Sequence, residues 1–333
     1  MLEADIRVTQ GGFVLDAQFR APADVVTALF GPSGAGKSTL LAALAGLKKL
    51  DAGRIALMGR VCAGEGVHVP AHQRGFGLVF QDARLFPNLS ARQNILYAAR
   101  RAPAGGARLE QLAEFFDITA LLDRPVGNFS GGEKSRVALA RALASHPDYL
   151  LLDEPFAALD GARRRSFIAV LLAAHREYRL PMMVVTHNID DAAALASHMV
   201  ALAGGRVAAQ GAFAAVAQSR EFQALLDRHD IGALLSPGGE TQTAQGYWLR
   251  ADHVLLAGEK PRSISARNIL EGQVSSVAVE DEGSVLVGLA TQAGAVLARV
   301  TADAARELSL TPGKPAFALA KAHAFGQAGP LAL

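Results

Sequence analysis

The feature that most constrains the fold is a glycine-rich loop at residues 31–38, which reads Gly-Pro-Ser-Gly-Ala-Gly-Lys-Ser. It matches the G-x-x-x-x-G-K-[ST] phosphate-binding pattern at every fixed position. Glycines let successive backbone N–H groups point at phosphate oxygens, the lysine can bridge terminal phosphates, and the serine hydroxyl can ligate Mg²⁺. An apolar run precedes the loop at residues 25–30 and helix formers follow it at 39–47. The sequence therefore predicts a strand, a phosphate loop and a helix, in that order.

This loop supplies the first set of candidate binding residues. The residues predicted to hold a polyphosphate are Gly31, Pro32, Ser33, Gly34, Ala35, Gly36, Lys37, Ser38 and Thr39. Ser38 is also a predicted Mg²⁺ ligand, and the start of the following helix adds the positive end of its dipole.

A second candidate element is the apolar run at residues 149–155, which ends in Asp153 and Glu154. A buried parallel strand delivers such carboxylates to the edge of a sheet where ligands bind. We expect Asp153 to hold Mg²⁺ and Glu154 to orient and polarise an attacking water. Many strands end in an acidic turn, so it is the pairing with the phosphate loop that favours the functional interpretation.

A third element lies between these two, at residues 128–136. Its Ser-Gly-Gly turn at a helix start can bind an anion, although in isolation an ordinary N-cap explains it better. The segment resembles the signature motif of ATP-binding cassette (ABC) ATPases, in which two subunits pack head to tail and the signature of one closes over the γ-phosphate held by the other. The resemblance assigns this role to Ser130, Gly131, Gly132 and Glu133.

The remaining positions of the family follow in the same order along the chain. The resemblance implies that Gln81 contacts Mg²⁺ and the attacking water, that Asp160 lies in the loop crossing the dimer interface, and that His187 senses the γ-phosphate. A lone Gln, Asp or His is usually a hydrogen-bonded surface or helix-cap residue. The assignment of these three therefore depends on the order in which the motifs follow one another along the chain. An aromatic residue stacks on adenine in the family; Phe13 is the nearest candidate, and Phe19 is also available.

The composition sets limits on the class of protein. The chain has 333 residues and a net charge of +2 from 33 basic and 31 acidic residues, which gives no reason to expect nucleic-acid binding. We find no signal peptide and no apolar stretch of the ~18 residues that a membrane span needs. Cys62 is the one cysteine, so neither an internal disulfide nor a cysteine-based zinc site can form. These features predict a cytosolic protein that meets any membrane through partners.

The predicted fold class is α/β: a phosphate-loop NTPase of the ABC type, with antiparallel β and helical subdomains, followed by a small OB-like β-barrel. We predict an ATPase domain at residues 1–232 with its helical subdomain at about 85–145, a linker and bridging strand at 233–262, and a β domain at 263–333. Short β-rich runs at a spacing of ~8–12 residues indicate the barrel. Residues 212–228 are predicted to be helical and to close the first domain.

The C-terminal segment narrows the resemblance to importers. Residues 264–274 carry Ser-Ala-Arg-Asn followed by Gly-x-Val, which resembles the molybdate/tungstate-binding (MOP-type) domain, and residues 79–87 resemble molybdate-importer ATPases. The resemblance implies an ATPase subunit of a bacterial molybdate importer, with ATP and Mg²⁺ as cofactors. It also implies a homodimer, two integral membrane permease subunits, a periplasmic oxyanion-binding protein, and a peripheral position on the cytoplasmic face of the inner membrane.

An oxyanion site in the C-terminal domain is a further prediction. Ser265 offers a hydroxyl, Arg267 fixed donors and Lys321 a charge. In the family a serine often follows the lysine, whereas Ala322 follows here. A purely structural barrel, in which Arg267 makes an ordinary salt bridge, is the alternative.

Other functions stay open at this point. Related ATPases serve importers of sulfate, iron or sugars, some soluble ABC-type machines act on DNA or ribosomes, and a non-catalytic oxyanion sensor is a third possibility. If the chain serves an importer, the apolar residues Leu85, Phe86 and Leu89 are candidates for contact with a permease; ordinary packing between subdomains is the alternative.

Overall fold

A computed structural model describes residues 1–64, 66–100, 109–157, 159–235, 247–281 and 283–321. Their contacts divide the chain into two compact units. The first unit holds residues 1–187 and 198–210, and the second holds residues 188–197 and 211–333. Residues 236–246, within the linker predicted at 233–262, and Ala322 lie outside the described residues.

The first unit is built around a mostly buried sheet. Its strands are β3 (Val26–Phe30), β7 (Phe76–Val79), β8 (Tyr149–Asp153), β9 (Met182–Thr186), β10 (His198–Ala203) and β11 (Arg206–Ala212). The strand order is β11-β10-β3-β9-β8-β7, and the pairs from β10 to β7 are parallel. Strands β3 and β9 are buried along their whole length, as continuous apolar runs in a parallel sheet require. The loops that follow β3, β7, β8 and β9 therefore emerge at one edge of the sheet.

A second, antiparallel sheet lies in the same unit. It consists of β1 (Leu2–Gln10), β2 (Phe13–Ala21), β4 (Ala52–Leu57), β5 (Arg60–Gly64) and β6 (Val67–His68). Alternate residues of β1 and β2 are buried, which is the pattern of a sheet with one face on a core. That core also includes Leu40 and Leu41 of the helix after the phosphate loop and Leu151 of β8. Packing thus fixes the loop between two sheets.

The helices assigned to the first unit are α1 (Lys37–Leu44), α2 (Ala91–Ala99), α3 (Leu109–Phe115), α4 (Gly131–Ala144) and α5 (Gly161–Tyr178). The helix predicted to follow the phosphate loop begins at Lys37 and ends at Leu44, before Gly46, whose φ is 79°. The buried Arg74 donates hydrogen bonds to Ala43 O (2.9 Å), Leu44 O (3.1 Å) and Val69 O (2.8 Å). Arg74 thereby satisfies carbonyls that have no partner within the helix at its C-terminus.

The second unit begins with helices. They are α6 (Ile189–Leu195), α7 (Phe213–Ala217) and α8 (Arg220–Gln223). The prediction of one helix over residues 212–228 was wrong, because the Ser219 side chain accepts a hydrogen bond from Phe222 N (3.2 Å) and starts a new helix there. A short 3₁₀ turn at residues 228–230 follows.

The remaining described elements of this unit are mostly strands. They are β12 (Gly232–Leu235), β13 (Tyr247–Arg250), β14 (Val254–Ala257), β15 (Asn268–Val279), β16 (Ser284–Thr291), β17 (Gly294–Thr301), helix α9 (Ala302–Glu307) and β18 (Pro315–Ala320). Strands β14-β18-β15-β16-β17 form an antiparallel sheet in that order. Its curled form around a core of alternating apolar residues is consistent with the predicted OB-like fold. Strand β14 was not predicted. No described helix is both long enough and apolar enough to cross a membrane.

Candidate nucleotide-binding site

The loop after β3 has glycine where its backbone requires one. Gly36 has a φ of 101°, and a Cβ built there would lie 2.9 Å from Cζ of Phe13. A Cβ on Gly31 would lie 2.2 Å from the carbonyl oxygen of Leu202. Neither position has room for a side chain, so the loop shape depends on these two glycines.

Lys37 stands at the start of α1 and faces the loop. Its Nζ donates to the carbonyl oxygens of Gly31 (2.7 Å) and Pro32 (2.9 Å), and the residue is 6% exposed. Burial lowers the pKa of Lys37, and the carboxylates of Glu154 and Asp153 oppose that shift. The ammonium is thus a partly desolvated cation beside a turn of backbone N–H groups, which suits a polyphosphate.

Ser38 and Asp153 meet across the sheet edge. The Ser38 hydroxyl lies 3.3 Å from Oδ1 of Asp153. Burial raises the pKa of Asp153, while the hydrogen bond from Ser38 lowers it. Both residues, together with Gln81, line a cavity of about 570 Å³. Hydroxyl, carboxylate and amide oxygens are the donors that Mg²⁺ prefers, so these three side chains fit that ion.

Glu154 follows Asp153 directly, but its carboxylate points toward His187 and not toward Ser38. Its Oε1 lies 3.3 Å from Nδ1 of His187, which comes after β9. Glu154 has a φ of 44°, a conformation that costs a non-glycine residue about 1–3 kcal/mol. The site therefore holds one carboxylate beside Ser38 and a second, on a strained backbone, beside the histidine.

Phe13 and Phe19 occupy different environments. A second cavity, of about 470 Å³, is lined by Phe13 together with loop residues and Glu154. Phe13 is half-buried at this wall, whereas Phe19 is 1% exposed and belongs to the core. Of the two, only Phe13 is open to this cavity.

The signature segment forms the N-terminus of α4. Ser130 Oγ accepts from Glu133 N (3.3 Å), and Ser130 N donates to Oε2 of Glu133 (2.7 Å), which is a capping box. Asp160 caps α5 by accepting from Arg163 N (3.0 Å). As far as the described residues show, neither Ser130 nor Asp160 lines the two cavities around the phosphate loop.

The three oxyanion candidates of the C-terminal unit are exposed. Asn268, which begins β15, pairs with Ala320, which ends β18. This register places Arg267 and Lys321 at the same end of one strand pair. Within the part of the chain that is described, Ser265, Arg267 and Lys321 make no hydrogen bond or ion pair, whereas the adjacent Asn268 is buried.

Sequence reasoning missed an arginine that supports the Gln81 loop. Arg141 of α4 donates from Nη1 to Arg84 O (2.8 Å) and from Nη2 to Ala83 O (3.0 Å). Ala83 and Arg84 have φ values of 59° and 41°, so two consecutive residues adopt the left-handed conformation. The partners are 57 and 58 residues apart in sequence, and no local pattern marks such a contact.

Comparison with known proteins bears on this site directly. The ABC transporter family matches residues 14–157, and the TOBE domain family matches residues 264–324. The molybdenum import ATP-binding protein ModC of Rhizobium etli is 37% identical over 93% of this chain and 95% of its own length. ModC 1 of Azotobacter vinelandii is 36% identical over 97% of this chain and 98% of its own length. The chain belongs to the ABC family of molybdenum import ATP-binding proteins. The family resemblance expected from the sequence is thereby confirmed.

Solved structures support the same fold. A dimeric ATP-binding cassette in a post-hydrolysis state bound to ADP and Pi has a TM-score of 0.55 at 24% identity, and covers 64% of this chain and 98% of its own. CbiO1 of Clostridium perfringens, part of an ABC transporter complex, has a TM-score of 0.53 at 25% identity, over 67% of this chain and 92% of that one. The predicted fold class, an ABC ATPase with a C-terminal OB-like β domain, is confirmed.

Proposed function

We propose that this chain is the ATP-hydrolysing subunit of a molybdate importer. The observation that carries the proposal is the similarity, over nearly the whole chain and through both domains, to proteins named for molybdenum import. The placement of lysine, serine, carboxylates and histidine at one sheet edge supports the chemistry. Tungstate is the closest alternative substrate by charge and shape.

The phosphate loop would bind the ATP polyphosphate, with Lys37 bridging its terminal phosphates and Phe13 stacking on adenine. Ser38, Asp153 and Gln81 would hold Mg²⁺, which supplies charge neutralisation for the phosphates. His187 would contact the γ-phosphate.

Glu154 is the proposed catalytic carboxylate. A water oxygen attacks the γ-phosphorus, the bond to the β–γ bridging oxygen breaks, and ADP leaves with that electron pair. Glu154 orients and polarises the water and accepts its proton. Positioning and electrostatic groups of this kind are worth about 100-fold or more in rate.

A second copy of the chain would complete each site. Ser130, Gly131, Gly132 and Glu133 of that copy would close over the γ-phosphate, with Asp160 in the crossing loop. The support is that each copy carries both motifs, while the described cavities around its phosphate loop are lined by neither Ser130 nor Asp160.

Two permease subunits and a periplasmic oxyanion-binding protein are the remaining proposed partners, with the chain on the cytoplasmic face of the inner membrane. A groove of about 350 Å³ beside the Gln81 loop would receive a permease segment, since it is lined by Phe86, Tyr97 and Arg84. Phe86 and Tyr97 are 39% and 40% exposed, with ring centroids 4.7 Å apart.

The decisive experiment is reconstitution with the permease and binding protein in lipid vesicles. We expect ATPase activity that rises when molybdate-loaded binding protein is added, together with uptake of molybdate. If sulfate stimulates the ATPase activity at equal concentration and neither molybdate nor tungstate does, molybdate is not the transported substrate. Oxyanion binding at Ser265, Arg267 and Lys321 stays a prediction; calorimetric titration of the protein with molybdate tests it against an Arg267→Met variant.

A further inference from the structure

The helix that follows His187 is assigned by its contacts to the C-terminal unit. Residues 188–197 belong with residues 211–333, although they lie in sequence between two strands of the central sheet. Asn188 caps this helix, α6, by accepting hydrogen bonds from Asp190 N (2.9 Å) and Asp191 N (3.2 Å). The backbone directly after His187 is therefore the start of a capped helix, and whatever holds that start also restrains His187.

Arg250 of β13 forms hydrogen bonds with the first turn of α6. Its Nη2 donates to Oδ2 of Asp190 (2.7 Å) and its Nη1 donates to Oδ1 of the same carboxylate (3.1 Å). Its Nε donates to Oδ1 of Asp230 (3.0 Å). A two-point contact between guanidinium and carboxylate fixes orientation as well as distance. The Arg250 side chain is 24% exposed and the Asp190 side chain 45% exposed, so the pair is only partly shielded from solvent and its two-point geometry, more than its charge, is what fixes the helix.

The strand that carries Arg250 is itself firmly held. Gly232 of β12 pairs with Arg250, and a Cβ on Gly232 would lie 2.4 Å from the carbonyl oxygen of Leu249. The buried Trp248 donates from Nε1 to Asp230 O (2.8 Å) and packs edge-on against Phe222. Arg250 thus projects from a rigid support, which is a condition for holding another group in place.

We propose that Arg250 is a positioning residue for ATP hydrolysis: through Asp190 it fixes the start of α6, and with it the backbone of His187. This inference rests on the proposed ATPase function. It assigns to the C-terminal unit a part in catalysis, because a strand beyond the ATPase motifs restrains the helix next to the histidine. The competing explanation is that Arg250 only stabilises its own unit.

Two isosteric substitutions separate these explanations. Asp190→Asn and Asp230→Asn each remove one carboxylate from Arg250, but only Asp190 belongs to α6. We expect Asp190→Asn to lower kcat roughly tenfold with KM for ATP within about twofold, because displacing a catalytic group by ~1 Å can cost about 100-fold. Asp230→Asn should stay within about twofold of the unsubstituted protein, since Arg250 keeps both contacts to Asp190.

A second comparison tests whether the fall in kcat caused by Asp190→Asn depends on the His187 side chain. In a His187→Ala background, Asp190→Asn should cause no further fall in kcat, because there is no imidazole left to misplace. Equal falls in both backgrounds, or equal kcat values for Asp190→Asn and Asp230→Asn, would overturn the proposal. Urea midpoints are measured for every variant, and Arg250→Lys replaces Asp190→Asn if that variant proves destabilised. Absence of ATPase activity in the unsubstituted protein would instead refute the proposed function.

Discussion

Arg74 shows how much a single buried residue can do in this protein. It is 1% exposed, and its hydrogen bonds in the described structure go to three backbone carbonyls. Burial lowers its pKa, but a guanidinium remains charged at any ordinary pH. By capping α1 from outside the helix, Arg74 supports the helix that carries Lys37 and Ser38.

We predict that Arg74→Met lowers the free energy of unfolding by about 2–4 kcal/mol, because the carbonyls of Leu44 and Val69 lose the Arg74 donor, while Ala43 O still accepts from Gly46 N (3.1 Å). Urea denaturation of the purified protein measures this. Arg20→Met, at an exposed position of β2, is the matched control and should change stability by no more than about 0.5 kcal/mol. An Arg74 variant as stable as that control would contradict the capping role.

Single residues also show where sequence reasoning stops. The order of Lys37, Glu154 and His187 along the chain predicted which side chains to examine, because the strands before them are continuous apolar runs. The left-handed backbone of Glu154 could not be predicted, since a glutamate carries no sequence signal for a positive φ, as a glycine would. Arg74 and Arg250 gave no signal either, because their partners include Ala43, 31 residues from Arg74, and Asp190, 60 residues from Arg250.

At the scale of elements, local chemistry explains what was predictable. The strands before the phosphate loop, the acidic pair and His187 followed from buried runs, and the start of α4 followed from its Ser-Gly-Gly turn. Strand β14 escaped prediction because it is four residues long and its partners on β18, from Ala320 to Phe317, are far away in sequence. The break between α7 and α8 was missed because Ser219 was not recognised as a cap.

Helix α4 and the Gln81 loop are coupled through Arg141, and this coupling can be tested. We predict that Arg141→Met lowers kcat about tenfold with little change in ATP affinity, because the left-handed turn after Gln81 loses both donors that hold it. Steady-state ATPase kinetics and a nucleotide-binding titration measure the two effects. Arg92→Met, on helix α2 and paired with the exposed Asp123, is the control. Equal kinetics for the two variants would show that Arg141 does not position the loop.

The ionised contacts of Asp252 with Arg299, on β17, and with His229 lead us to predict that stability depends on pH. Burial by itself raises the pKa of Asp252, but hydrogen bonds with His229 and Arg299 outweigh burial and hold that pKa below its ordinary value. A lowered pKa means that the ionised form stabilises the fold above the unfolded-state pKa of about 3.9, and that the gain disappears as pH falls through the folded-state pKa.

Asp252→Asn should therefore lower the free energy of unfolding by about 1–3 kcal/mol at pH 7, and the difference should shrink toward zero as pH falls through the folded-state pKa of Asp252. Urea denaturation over a pH series measures it. Asp303→Asn, which removes the partner of Arg306 in a fully surface pair, should cost less than about 1 kcal/mol at every pH. A deficit for Asp252→Asn that is constant with pH would contradict the ionic origin.

At the scale of the whole molecule, the ATPase motifs do not meet within one described chain. The phosphate loop, Gln81, Asp153, Glu154 and His187 gather at one edge of the central sheet. Ser130 caps helix α4. In the part of the chain that is described, it lines neither of the two cavities near the phosphate loop. The central claim is that a second copy brings its signature segment to this edge when ATP is bound.

The most direct test is the mass of the Glu154→Gln variant in solution, measured by light scattering with and without MgATP. This substitution keeps the shape of the side chain and removes the carboxylate that polarises water, so ATP should stay bound. We expect a monomer without nucleotide and a dimer with MgATP, and no dimer when Ser130→Arg is added to the same variant. A Glu154→Gln protein that binds MgATP and yet remains monomeric, even with its permease present, would contradict the claim.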